Sequence, residues 1–452
     1  MAQLFAADDK FPDVVAALEA RGWQRLPFVG CPKFDLKWTN YAKIAWRRVT
    51  PTQVVNHLQH SVLFSQKDHF ADLLYAHPGG QFLVDSCFPR TFDCSRPRDR
   101  ILLQRWFVYS QVIAELKQSV HIGSTTQLGA ALRQARAVLK DSKFFARWRV
   151  DEVDTEVDEW RTGSDVSVEG SRQEVEDILK QLERRDPQFH AVGGAGGNVW
   201  ICKPSNLSQG RGIVLCSSLQ ELADITSEGD RGNVVEGEKK KTSKWIVQKY
   251  IERPLLLQNG RKFDIRQWVL VTALEPKPTA FWFYRSYLRF CGRRFELTRL
   301  QDQFTHLSNY SVQQHFVANE TSDGDGGEKV DGFEPMWSSE QFRQTLRQEH
   351  RRDVWTDTIL PQMQSTARLA LDAVLPKLNV VGRGFEWLGF DFLVDEKHHV
   401  WLLEVNVSPD VSHSTSVTAE LASKATVDVL NVVLDPETSR TSDNGWLPFE
   451  LN

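Results

Sequence analysis

The chain has 452 residues, room for roughly three domains, and its 41% hydrophobic and 25% charged residues exclude a mainly disordered protein. A formal net charge of −4 excludes a global basic coat for nucleic acid, although a local basic patch remains possible. Six scattered cysteines with no CxxC pair argue against a zinc module or a disulfide scaffold and suit a reducing cytosol.

No apolar run approaches the length of about 18 residues that a membrane span needs. The N-terminal stretch MAQLFAADDKFPDVV lacks a basic start and a sustained apolar core, so no signal peptide is expected. Pro12 and Asp13 open a short helical pattern through Val15 and Leu18 that Gly22 stops. Residues 101–116 and 125–140 carry two more helical patterns, and a small α/β region is expected to about Val150. Residues 151–170 are acidic and aperiodic, which suits a solvated linker. Ser171 and Glu174 fit a capping box, followed by Val175, Ile178, Leu179 and Leu182 on one helical face.

The rest reads mainly as strands: NVWICKP, KWIVQKYI, FDIRQWVLVT, TAFWFYRSYLRF, FEWLGFDFLVD and VWLLEVNV. Short connections between several of them favour antiparallel pairing and an α+β body with mixed sheets. Polar segments 226–244 and 320–333 read as exposed insertions, and 415–434 as the last long helix. The expected division is 1–170, 171–280 and 281–452.

The run Gly193–Gly197 precedes a strand. A dinucleotide fingerprint or Walker loop needs strand, glycines, then helix, so a turn is expected here. Lys203 ends NVWICKP, and Gln209-Gly210-Arg211-Gly212 follows before another strand. A lysine beside a glycine hairpin suits a polyphosphate, because the ammonium offsets charge and backbone N–H groups can cover it. The pattern alone also suits a solvated hairpin with an edge lysine. Near the C-terminus, Asp391 lies on one strand of a hairpin, with Glu404 and Asn406 on one face of the other. Two carboxylates and an amide inside apolar strands are costly without a cation, and oxygen ligands favour Mg²⁺; an outward polar face is the alternative.

Lys262, Asp264 and Arg266 share one strand face, as an ion-paired row or a nucleotide-lining wall. Arg285, Arg289, Arg293, Arg294 and Arg299 against Glu296 form a basic stretch, either a solvated face or an attraction for an acidic partner. His398 and His399 sit in the expected hairpin turn and should be exposed. Cys202 alternates away from Lys203 and should be a buried structural thiol. No HExxH or GxSxG pattern occurs.

In order, the blocks WICKPSNLSQGRGI, WIVQKYIERPLLLQNGRKFDIRQWVLV, SYLRF, HLSNYSVQ, GFDFLVD and LLEVNVSPDVS resemble the tubulin–tyrosine-ligase-like family of ATP-grasp carboxylate–amine ligases. The resemblance, joined by ALEARGW and FDLKWTN, extends over most of the chain. It implies an ATP-grasp fold with N-terminal, central and C-terminal domains. It implies that Lys203 meets nucleotide phosphates under a loop carrying Gln209 and Gly210. Gln248, Lys249, Tyr250 and Ile251 would form the adenine hinge, and Lys262, Phe263 and Asp264 would line the nucleotide site. Ser308 and Asn309 would lie beside the terminal phosphates, and Asp391, Glu404 and Asn406 would hold Mg²⁺. Arg289 and Lys424 would face the amino-acid and acyl-phosphate region, with Arg289, Lys424 and Glu404 serving catalysis.

The implied reaction uses ATP to convert a carboxylate to an acyl phosphate, which the amine of a free amino acid then attacks. Glutamate-adding members resemble HLTNYSINK with a polar or basic residue after EVN. Here Ser308, Gln314 and Val407 stand instead, removing groups that could hold a second carboxylate. The chain resembles the glycylating branch, whose initiating enzymes add the first glycine to a tubulin glutamate. Tubulin C-terminal tails, microtubules and free glycine are the implied partners, with no nucleic acid or membrane. The implied location is cytoplasm, cytoskeleton and the axoneme of a cilium or flagellum. A glutamylase of the same family, an inactive microtubule-binding protein and a small-molecule peptide ligase are the alternatives.

Overall fold

The computed structural model describes residues 2–122, 128–142, 144–145, 171–194, 197–205, 207, 209–228, 244–322, 333–435 and 443–451. The acidic segment 151–170 and most of both polar insertions lie outside the described residues. Strands β1 (Leu4–Ala7), β2 (Gln24–Arg25), β3 (Leu36–Trp38) and β4 (Val54–Val55) come first. Strands β5 (Thr91–Asp93), β6 (Trp200–Pro204), β7 (Val214–Cys216) and β8 (Trp245–Lys249) follow. Next come β9 (Leu256–Leu257), β10 (Arg261–Ala273), β11 (Thr279–Phe283), β12 (Tyr287–Arg294) and β13 (Met336–Ser338). The last are β14 (Arg383–Gly384), β15 (Glu386–Val394), β16 (Val400–Val407) and β17 (Trp446–Phe449).

The N-terminal sheet has the order β14-β4-β3-β1-β2 and is parallel throughout. The central sheet, β5-β8-β6-β7, is antiparallel. The large sheet is built around β10. Strands β11 and β12 run end to end along one edge, and β15, itself paired with β16, takes the other. TAFWFYRSYLRF is therefore not one strand. It breaks at Tyr284–Ser286, where Tyr284 N–H turns to the Gly445 carbonyl and the Ser286 carbonyl to Ser339 N–H.

Sheet membership cuts across residues 170 and 280. Strand β5 joins β8, and helix Pro97–Ile122 packs with helices Gly129–Lys140 and Arg172–Arg185 in the core that holds Trp200 and Val247. Half of the capping box expected at Ser171 is present: its hydroxyl accepts the Glu174 N–H at 3.1 Å, while the Glu174 carboxylate pairs with Arg136 instead of returning to the Ser171 N–H. Val175, Ile178 and Leu182 are buried, each side chain contributing about 1.5–3 kcal/mol. A Thr415–Thr418 capping box starts helix Ser416–Leu434, close to the expected 415–434. That helix packs on one face of the large sheet with the N-terminal sheet, while helix Leu360–Val374 covers the other. Among the described residues no helix is long and apolar enough to cross a membrane.

Candidate active site

The cleft lies where the central sheet faces the large one, with a volume of about 550 Å³. Strand alternation decides which side chains enter it. On β10, Lys262 and Asp264 face the cleft, whereas Phe263 turns the other way and packs on Phe290 and Phe342. The placement of Phe263 along the nucleotide wall is corrected accordingly: its ring belongs to the opposite core.

Lys203 Nζ donates to Gln248 Oε1 at 2.7 Å, and Gln248 Nε2 to Thr91 Oγ1 at 2.9 Å. Burial, reinforced by Lys67 and Lys262, pulls the Lys203 ammonium down to about 8 against the opposing pull of Glu404 and Asp391. Gln209, Gly210 and Gly212 have φ of +62°, +74° and +69°. A β-carbon on Gly210 would lie 2.9 Å from Val312 Cγ2, and Ser311 Oγ donates to the Gln209 carbonyl at 3.0 Å. The glycine loop is thus seated on the segment that carries Ser308 and Asn309.

Ile201, Ile213, Tyr250, Ile251 and Leu393 supply an apolar end to the cleft. Lys249 lines it beside them, but its ammonium is taken by Glu252 and the Val199 carbonyl. Glu252 also accepts N–H groups from Gly193 at 2.6 Å and Val199 at 2.8 Å, which ties both flanks of the glycine run to the hinge; Ala195 and Gly196 lie outside the described residues. Lys262 Nζ donates to Tyr250 Oη at 3.0 Å and to the His306 carbonyl at 2.7 Å.

Asp264 accepts Arg289 Nε at 2.7 Å, Arg289 Nη2 at 2.6 Å and Ser308 Oγ at 2.7 Å. Arg289 Nη2 also reaches Asp391 Oδ2 at 2.9 Å. Arg266, opposite Asp391 in the β10–β15 register, donates to both its oxygens. Burial would raise the Asp391 carboxyl, but Arg266 and Arg289 outweigh it and hold it below the usual carboxylate range. Asn406 Nδ2 lies 3.0 Å from Asp391 Oδ2 and 3.3 Å from Glu404 Oε1. Exchanging the amide O and N of Asn406 would turn three oxygen donors inward. This set fits a hard cation that keeps phosphate or water oxygens as further ligands. Among the described residues no cluster of three or more His, Cys, Asp or Glu side chains suits a metal.

Lys203, Gln209, Gly210, Gln248, Lys249, Tyr250, Ile251, Lys262, Asp264, Ser308, Asn309, Asp391, Glu404 and Asn406 all line this one cleft. Arg289 backs it through Asp264 and Asp391. Lys424 is not brought there: its ammonium pairs with Asp428 at 3.0 Å and the Asp443 carbonyl at 2.8 Å on helix Ser416–Leu434. Sequence reasoning missed Lys67 and His306, which also line the cleft. Lys67 opens helix Lys67–Tyr75 and donates to the Leu207 carbonyl at 3.0 Å; a cation at a helix start facing the glycine hairpin was the available signal.

Three side readings are settled by contacts. Arg285 pairs with Glu340 and Glu420, Arg293 with Asp302, and Arg299 with Glu296, so the basic stretch is largely neutralised. His398 and His399 are half-buried rather than exposed, because His399 Nε2 meets the Ser86 carbonyl at 2.6 Å and His398 packs on His350. Cys202 is buried, as expected, with its sulfur 3.4 Å from that of Cys216.

The sequence pattern of the tubulin-tyrosine ligase family matches residues 162–442. The chain is 39% identical over 282 residues to a Mus musculus protein named tubulin monoglycylase TTLL3, covering 62% of this chain and 28% of that one. The Homo sapiens protein of the same name is 39% identical over 280 residues, 62% of this chain and 34% of that one. Tubulin glycylase 3C of Tetrahymena thermophila is 36% identical over 262 residues, 58% and 22% of the two chains. The chain therefore spans about a third or less of the length of these relatives.

Proposed function

The chain belongs to the tubulin-tyrosine ligase family, and on that footing we propose that it is an ATP-dependent ligase adding the first glycine to glutamate side chains of tubulin C-terminal tails. The observation that carries the reading is the single cleft that gathers an apolar hinge, Lys203 and Lys262, and the Asp391–Glu404–Asn406 trio. Relatives named as tubulin monoglycylases support glycine as the amino acid and tubulin as the acceptor. Action on microtubules places the enzyme with the cytoskeleton, including axonemes.

In this reading the adenine lies against Tyr250 and Ile251, and Lys203, Lys262 and Lys67 offset phosphate charge. Asp391, Glu404 and Asn406 would hold Mg²⁺, which when bound withdraws charge from the transferring phosphoryl group. Arg289 is fixed through Nε and Nη2 on Asp264, which aims the guanidinium at the Asp391 end of the cleft. From behind Asp264 and Asp391 its positive charge favours the oxyanion that develops when the amine attacks. The loop seated on Ser311 and Val312 shields that region from water. Lys424, tied to Asp428, takes no part.

Incubation with tubulin, Mg-ATP and labelled glycine or glutamate tests the proposal. Glycine should enter glutamate side chains of the tails, and Glu404→Gln should lose at least a hundredfold in rate. Incorporation of glutamate alone, or full activity in Glu404→Gln, would overturn it.

A further inference from the structure

The family pattern begins at residue 162, yet a buried residue upstream of it, His57, pairs with Glu386 and touches the end of the hairpin that carries Asp391, Glu404 and Asn406. His57 and Glu386 are 1% and 0% exposed, with Nδ1 2.8 Å from Oε1. The other oxygen of Glu386 accepts the Leu58 N–H at 2.9 Å. His57 Nε2 faces the Thr39 carbonyl and the Ser408 hydroxyl, each at 3.1 Å. Asn56 Nδ2 lies 3.4 Å from the same nitrogen, so the ring is held from several sides and the Ser408 hydroxyl is tied to a fixed, buried partner.

Ser408 is the first residue beyond β16, two after Asn406. Its φ is +58°, a left-handed conformation that side chains other than glycine adopt only when something holds them. The reversal brings Pro409 back over Gly389, the cross-strand partner of Asn406: a β-carbon on Gly389 would lie 2.9 Å from Pro409 Cβ.

We infer that the Glu386–His57 pair is a positioning device for the cation site. By holding Ser408 in its left-handed turn, it keeps the end of β16 closed over Gly389 and Asn406 turned toward Asp391 and Glu404. The inference rests on the nucleotide and Mg²⁺ reading above. Partners standing behind metal ligands govern affinity strongly, and their loss weakens it about tenfold or more.

The test is calorimetric binding of a non-hydrolysable ATP analogue to the full chain, with Mg²⁺ and with EDTA. Ser408→Ala keeps a β-carbon at φ +58° but loses the hydrogen bond. It should bind the analogue about tenfold more weakly in Mg²⁺ and as wild type does in EDTA. Glycine adopts the turn unaided, so the double variant His57→Ala/Ser408→Gly should regain Mg²⁺-dependent affinity that His57→Ala lacks. A purely structural role for His57 would give no such rescue. Equal Mg²⁺-dependent affinity in wild type and Ser408→Ala overturns the inference, as does a double variant no tighter than His57→Ala. Ser408→Ala leaves the buried pair intact, so it decides the matter even where His57→Ala does not fold. Failure of the wild type to bind the analogue would instead remove the nucleotide reading, and this inference with it.

Discussion

At the scale of single residues, burial displaces the proton affinity of several groups lining the cleft, Lys203 and His306 among them. Burial pulls Lys203 down to about 8 before any phosphate arrives. Its ammonium form binds phosphate, so affinity for an ATP analogue should weaken as pH rises through about 8. Lys203→Arg stays cationic far above that pH and should flatten the decline, which a pH series of binding constants would show. His306 is displaced downward, to about 4, first by burial and then by the Lys262 ammonium. Its Nε2 donates to the Arg299 carbonyl while Nδ1 accepts from Tyr250 Oη, so the ring is neutral in the fold. The unfolded chain binds this proton from about pH 6.5 downward. Stability is therefore fully present above about pH 6.5 and is lost as pH falls toward about 4. Urea midpoints at pH 7 and pH 5 should fall further apart in wild type than in His306→Gln.

At the scale of elements, strand alternation explains both what the sequence revealed and where it failed. Glu404 and Asn406 are two apart, so their convergence on Asp391 was legible before any coordinates, as was the capped helix after Ser171. The same rule, applied to Phe263, would have excluded it from the cleft. Lys424, assigned to the acyl-phosphate region by the family resemblance alone, is instead claimed by Asp428 four residues on, because a resemblance does not say which neighbour a helix face meets. The break at Tyr284–Ser286 depends on hydrogen bonds to residues 339 and 445, contacts that no local pattern encodes. Gly389 illustrates a constraint visible only in three dimensions. A β-carbon there would lie 2.9 Å from Pro409 and 3.1 Å from Arg266 Nη1. Gly389→Ala should lower stability by about 1–3 kcal/mol through overpacking, read as a lower denaturant midpoint at constant slope.

At the scale of the whole molecule, the family pattern covers 162–442, but the folded unit does not start there. Strand β5 and helix Pro97–Ile122 complete the core around Trp200, Cys202 and Val247. A chain beginning at residue 162 should lack a cooperative thermal transition by circular dichroism; a sharp two-state melt of that fragment would contradict this. The parallel N-terminal sheet carries a related consequence for biosynthesis. Strand β4 finds its outer neighbour only in β14, roughly 330 residues later along the chain. While the ribosome is still making that stretch, the nascent sheet presents an open edge to everything around it. Completion of the first sheet must wait for one of the last strands to emerge, which makes the early chain a natural client for chaperones during translation.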